Sequence, residues 1–241
     1  MKTGFRFQVS GFRFQVSGVA SFLSLLLAFA LHAEVFWRLP KQADTVLRQM
    51  DGSRVYTTDV QLNGTPGTLT AYAFGTSASR VSADLSRRLG LPAPAPAGAA
   101  FFSHAEKNRL HRFFVLPSPA GNETCVVLAF DQSLRAFAHA RQEPPAWPDG
   151  LPALNATPLF SAVCALTRTS FVTADSPASP EAAADEAAQT LRGAGWAEAL
   201  PAAATFKLFA SGRKQCALFA SRNPQTGQTT ISLLQREGAT P

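Results

Sequence analysis

The sequence predicts an α+β fold made of two related small antiparallel sheets, each with one helix packed across it, behind an N-terminal signal helix. Three observations predict it. Several runs are β-rich, two amphipathic stretches carry serine caps and glycine stops, and the order strand, helix, strand, strand occurs in both halves. With 241 residues, 46% hydrophobic and 16% charged, the chain has the apolar content for a core and too little charge for general disorder. No apolar run reaches the roughly 18 residues of a membrane helix, which excludes a multispan membrane protein.

Lys2, Arg6 and Arg13 stand without an acid ahead of an apolar run from Val19 to Leu31, with small residues at Ala28, Ala30 and Ala33. That order is the secretory signal pattern. The run is too short to cross a bilayer of about 30 Å. Residues 1–33 are therefore expected to be cleaved after Ala30 or Ala33, with an uncleaved anchor as the alternative. Inside this leader Gly4–Ser10 (GFRFQVS) recurs without change as Gly11–Ser17. A copy of seven residues is far shorter than the roughly 20 to 50 of a structural repeat; it reads as a lengthened basic region or an upstream start site. Losing three basic residues and no acid lowers the formal net charge from +6 to +3. The remaining basic residues are scattered, so nucleic acid is not expected as a partner. The densest group, Lys107 to Arg112 with His104 and His111, reads as a solvated loop before a strand rather than a contact for an anionic surface.

The first unit is placed at 34–140. Val55–Leu62 alternates, with Tyr56, Thr58, Val60 and Leu62 on one face, and ends in Asn63-Gly64-Thr65-Pro66-Gly67, which predicts a half-buried strand and a turn. Thr68–Phe74 is β-rich and completes a hairpin. Val81, Leu85 and Leu89 recur every fourth residue, with Ser77 and Ser79 as caps and Gly90 as the stop, predicting a helix of about three turns. Pro92–Gly98 alternates Pro with Ala and predicts an extended loop. Arg112–Leu116 and Cys125–Phe130 predict two strands. The second is apolar throughout, so both of its faces must be covered.

Residues 141–158, rich in Pro with Trp147 as the one large anchor, are read as a linker. The second unit is placed at 159–238, with a tail at 239–241. Leu159–Thr173 is β-rich. Ser179, Pro180 and Glu181 make a helix start, and the helix to Arg192 buries Ala184, Ala187, Ala188 and Leu191. Phe206–Ala210, Cys216–Ala220 and Thr229–Arg236 predict the closing strands. The parallel order of the halves reads either as a duplication, with Cys125 and Cys216 equivalent, or as a chance likeness of two ordinary α+β units.

The chemistry is sparse. Three cysteines in an exported chain allow at most one internal disulfide, with Cys164 able to pair with Cys125 or Cys216; the bland reading is three small buried hydrophobes. No C-x-x-C, G-x-S-x-G, Walker loop or G-x-G-x-x-G occurs, and the serines at 77, 79, 176 and 179 read as caps. His104 and His111 stand seven apart without a metal-ligand pattern, and His139 has no companion. Trp37, Trp147 and Trp196 border turns and read as edges of the core rather than a partner platform. Asn122-Glu123-Thr124 and Asn155-Ala156-Thr157 fit the glycan acceptor pattern. No residue is assigned as catalytic, cofactor-binding or metal-ligating, and no cofactor is expected. The function expected is a periplasmic or secreted, non-enzymatic binding or assembly module, its partner a protein or envelope component, without a membrane span once the leader is gone. The alternatives are a membrane-tethered envelope protein and an exported hydrolase with a scattered active site. The hydrolase reading requires a pocket that gathers at least two of His104, His111, Asp131, Glu143 and Asp149 with shifted pKa values.

Overall fold

The computed structural model describes residues 8–9, 12–13, 41–91, 100–118, 123–140, 145–200, 204–223 and 226–238. The apolar run Val19–Leu31, Trp37, Pro92–Gly98, Asn122 and Glu143 lie outside them. Near the N-terminus, Gln8–Val9 and Phe12–Arg13 form a two-residue antiparallel ladder.

The body contains eleven strands: β1 Ser53–Leu62, β2 Thr65–Phe74, β3 Ala100–Glu106, β4 Arg109–Pro117, β5 Cys125–Ser133, β6 Thr157–Cys164, β7 Thr169–Ser176, β8 Ala197–Leu200, β9 Phe206–Ser211, β10 Lys214–Arg222 and β11 Thr229–Glu237. Four helices among the described residues accompany them: α1 Lys41–Gln49, α2 Ala78–Leu89, α3 Leu134–Ala140 and α4 Pro180–Gly193. All eleven strands belong to one antiparallel sheet, ordered β8-β9-β10-β11-β7-β6-β1-β2-β5-β4-β3, which curls into a half-barrel.

This overturns the expected pair of separate small sheets. The two sides join where β1 meets β6, through Gln61 opposite Val163 and Leu62 opposite Ala162. The seam continues in the turn: Asn63 N–H donates to the Ser161 carbonyl at 2.9 Å, and Ser161 N–H donates to Asn63 Oδ1 at 2.7 Å. Left apart, β1 and β6 would each expose a strand edge, and pairing removes both over this stretch. The curl supplies the second reason. The inner face is one apolar cluster drawn from both sides of the seam, with Phe114 4.5 Å from Phe171 and Phe130 5.0 Å from Phe160, ring centre to ring centre. Two separate sheets would each have presented half of that surface to water.

The outer face carries the helices. Ala43 and Leu47 of α1 and Val81 and Leu85 of α2 cover Tyr72, Phe102, Phe113 and Val127 on one side of the seam. On the other side α4 lays Ala184, Ala187, Ala188 and Leu191 on Leu218, Ile231 and Leu233. Helix-capping chemistry placed both larger helices as expected. Ser77 accepts from Arg80 N–H and Ser179 from Ala182 N–H, both at 3.3 Å, and α2 stops at Gly90. β4 and β5 are buried along almost their whole length because helices cover one face and the curled sheet the other. Leu151 and Leu154, within the Pro-rich stretch read as a linker, are buried against α4 and its sheet; Trp147 packs there partly buried and Trp196 fully.

From the seam outward the ranks run β1, β2, β5, β4, β3 on one side and β6, β7, β11, β10, β9, β8 on the other. Cys125 thus sits on a third-rank strand and Cys216 on a fourth-rank one. Cys164 lies in the inner cluster, while Cys125 and Cys216 lie in the two separate outer clusters, and all three are free.

Candidate functional site

Strand alternation sends Phe114 and Phe130 inward, so His111 on β4 and Asp131 on β5 face outward, toward the helix layer. The register then aligns four strands. His104 on β3 lies opposite His111, His111 opposite Asp131, and Asp131 opposite Thr68 on β2. This polar row closes one end of the apolar core under α1 and α2.

Asp131 is completely buried and accepts two hydrogen bonds from Arg109, from Nε at 3.0 Å and from Nη2. Arg109 and His111, two apart on β4, flank it from one face. His111 Nδ1 stands 3.3 Å from Asp131 Oδ1, an ion-pair distance without the alignment of a hydrogen bond. The ring is 1% exposed, and its Nε2 has no hydrogen-bond partner among the described residues. His104 stacks on it with ring centres 6.5 Å apart, and Phe113 with centres 6.2 Å apart. Burial, followed by the charges of His104 and Arg109, pushes the His111 pKa down to about 4. Asp131 does little to lift it, since the guanidinium fork already balances that carboxylate. His111 is neutral at pH 7. A proton on Nδ1, facing the carboxylate, leaves Nε2 as a bare acceptor.

Beside this ring lies a cavity of about 140 Å³, lined by Ala43 and Val46 of α1, Arg88 and Leu89 of α2, His104 and Glu106 of β3, and His111 and Phe113 of β4. That is room for about five waters. Its walls divide by chemistry. Ala43, Val46, Leu89 and Phe113 are apolar; Arg88 and Glu106 bring opposite charges; His104 and His111 contribute their imidazole rings. Arg88 reaches Gln49 Oε1 only at 3.5 Å.

Gly67 on β2 holds this end of the sheet together. A Cβ there would stand 2.4 Å from Leu62 Cδ1 and 2.9 Å from the Asp131 carbonyl oxygen, so only glycine lets β2 and β5 approach at the row.

On the inner face, Arg112 is buried between aromatic rings, its guanidinium carbon 4.6 Å from the centre of Phe160 and 5.0 Å from that of Phe137. It donates to Gln132 Oε1 at 3.2 Å, and Gln132 Nε2 donates to the Leu62 carbonyl at 3.2 Å and to Thr65 Oγ1. This network ties β4 and β5 to the β1–β2 turn. Burial lowers the Arg112 pKa to about 10, so it stays charged at pH 7. The inner cavity beside Tyr56, Cys164 and Phe171 measures about 20 Å³ and is a packing gap.

Of the five side chains named from sequence, His104, His111 and Asp131 converge. Asp149 is exposed in a turn away from them. Arg109, Glu106 and Arg88 escaped sequence reasoning. Arg109 alone had a local signal, standing two residues before His111 and therefore on the same strand face. The expected loop before β4 is instead the hairpin turn between β3 and β4, with Lys107 at φ 52°. Among the described residues no group of three or more His, Cys, Asp or Glu side chains is arranged to hold a metal ion. Burial pushes the Cys125 thiol up to about 12 and the Cys216 thiol higher still, which leaves both as poor nucleophiles at neutral pH. No described helix is long and apolar enough to cross a membrane. The chain matches no family model, and neither curated proteins nor solved structures provide a match.

Proposed function

We propose that this chain is an exported, non-enzymatic binding module that seats a small polar ligand in the cavity beside His111. The observation that carries the reading is the cavity of about 140 Å³ itself, whose wall joins the apolar Ala43, Val46, Leu89 and Phe113 to the opposite charges of Arg88 and Glu106. Export rests on the leader's basic, apolar and small-residue order. Intact mass of the exported chain tests it: a species starting after residue 30 or 33 agrees, and one retaining residues 1–30 contradicts it.

The hydrolase reading has one specific observation in its favour, because His104, His111 and Asp131 lie in register on adjacent strands, the two histidines line one cavity, and His111 is strongly shifted. Two features weigh against turnover. The shift is downward, which makes His111 a weak general base at pH 7, and no Ser, Thr, Cys or Lys is among the described lining residues. Screening the purified protein against ester, amide, glycoside and phosphoester substrates separates the readings. Turnover abolished by His111→Gln would establish the hydrolase and end the binding reading.

A further inference from the structure

We infer that Arg112 binds the carboxylate of a ligand, gripped side-on by its Nε–H and Nη2–H on the inner face of the sheet. The site is separate from the His111 cavity, because successive residues of β4 face opposite sides and Arg112 shares the inner face with Phe130. Arg112 is 5% exposed, and no acid pairs with it among the described residues. A buried cation is costly without an opposite charge. Only one of its nitrogens is committed. Nη1 donates to Gln132 Oε1, and Gln132 is itself held in place by donating to the Leu62 carbonyl and to Thr65 Oγ1. Nε and Nη2 make no hydrogen bond among the described residues, yet neither is sealed from water, so an incoming group can reach them. These two nitrogens form one edge of the guanidinium, the same edge with which Arg109 grips Asp131 in this protein. Two parallel N–H groups match the two oxygens of a carboxylate. One negative charge also balances one guanidinium, whereas a phosphate dianion would bring excess charge beside the rings of Phe137 and Phe160. Those rings, 5.0 and 4.6 Å from the guanidinium carbon, steady the fork and offer apolar contact to the carbon skeleton of an acid.

The test follows the Nε–H resonances of Arg112 and Arg109 in the full chain by NMR. Acetate, benzoate, an N-acetylated dipeptide with a free C-terminus, inorganic phosphate and chloride are added separately at constant ionic strength. Acetate and benzoate are expected to move Arg112 saturably and to leave Arg109, whose edge is taken by Asp131, in place. Arg112→Lys keeps the charge and loses the fork, and should weaken benzoate at least about tenfold. Should that variant fail to fold, the wild-type titrations decide alone, with Arg109 as the internal control. The dipeptide separates the sources: binding as tight as that of acetate supports a peptide terminus, and weaker binding supports a small free acid. Phosphate or chloride as tight as acetate would overturn the carboxylate class. Benzoate binding unchanged in Arg112→Lys, or equal movement of Arg109, would overturn the fork. Failure of all five compounds to move Arg112 would overturn the site and leave the His111 cavity reading standing, since the two lie on opposite faces of the sheet.

Discussion

His111 is an uncharged imidazole held where a charged one would be costly, and that makes the stability of the protein depend on pH in a stated direction. Its folded pKa of about 4 lies below the ordinary value of 6.5. A group depressed on folding gives its full contribution above the unfolded pKa and loses it as the pH falls through the folded one. The window therefore runs from about 6.5 down to about 4. Between pH 7 and 4.5 the wild-type protein should lose about 2 to 3 kcal/mol more than His111→Phe, measured by urea unfolding at both pH values. Equal losses would show that the ring titrates as in water. Asp131 is the second residue-scale determinant, because it balances Arg109 and faces His111. Asp131→Asn should cost about 2 to 3 kcal/mol at pH 7 in the same assay, since it weakens two charge-assisted bonds in a buried place. The residue types of this cluster were readable in the sequence and their company was not. His104, His111 and Asp131 stand within 28 positions, yet only the pairing of β3 with β4 and of β4 with β5 makes them neighbours.

At the scale of elements, the parts governed by local chemistry were legible and those governed by distant contacts were not. Ser77, Ser179 and Pro180 state where α2 and α4 begin. The Asn63-Gly64 turn, with both residues at positive φ, fixes the β1–β2 hairpin. By contrast α1 has only Ala43, Val46 and Leu47 as an apolar stripe among nine residues, and its stability comes from packing on Tyr72 and Phe74 and from the Tyr72 hydroxyl donating to Asp44. β3 hid behind its Ser, His and Glu residues, and α3 and the four-residue β8 have too few positions for any period to show. The run Leu159–Thr173 resolved into β6 and β7 around a turn at residues 165–168 that no Gly or Pro marks. One element carries a sharp prediction. Gly67→Ala puts a methyl group against Leu62 and the backbone of Asp131, so β2 and β5 must separate at the polar row. The expected cost is about 1 to 3 kcal/mol, with the His111 ring shifts displaced in NMR spectra. An unchanged spectrum would mean that the close approach does not hold the site.

On the scale of the whole molecule, the decisive feature is that the inner face has one core rather than two. Phe114 and Phe130 come from one side of the seam and Phe160 and Phe171 from the other, and their rings interlock. The sequence showed that strands such as β5 needed cover on both faces. It could not show that the cover was the other half of the same sheet, because strand order across a two-residue seam leaves no trace in local periodicity. A shared core predicts shared unfolding. Phe114→Ala should cost about 3 to 5 kcal/mol and lower amide-exchange protection in β6, β7 and β11 as well as in β4. Loss confined to β3, β4 and β5 would show two independent cores.

The central claim is that a buried, neutral His111 holds its Nδ1 proton toward Asp131. Long-range proton–nitrogen NMR of the ring at pH 7, followed through a titration to pH 3.5, tests this directly. The expected result is a protonated Nδ1, an Nε2 at the shift of an unprotonated acceptor, and no titration until the pH approaches 4. A proton on Nε2, or a midpoint near 6.5, would contradict it.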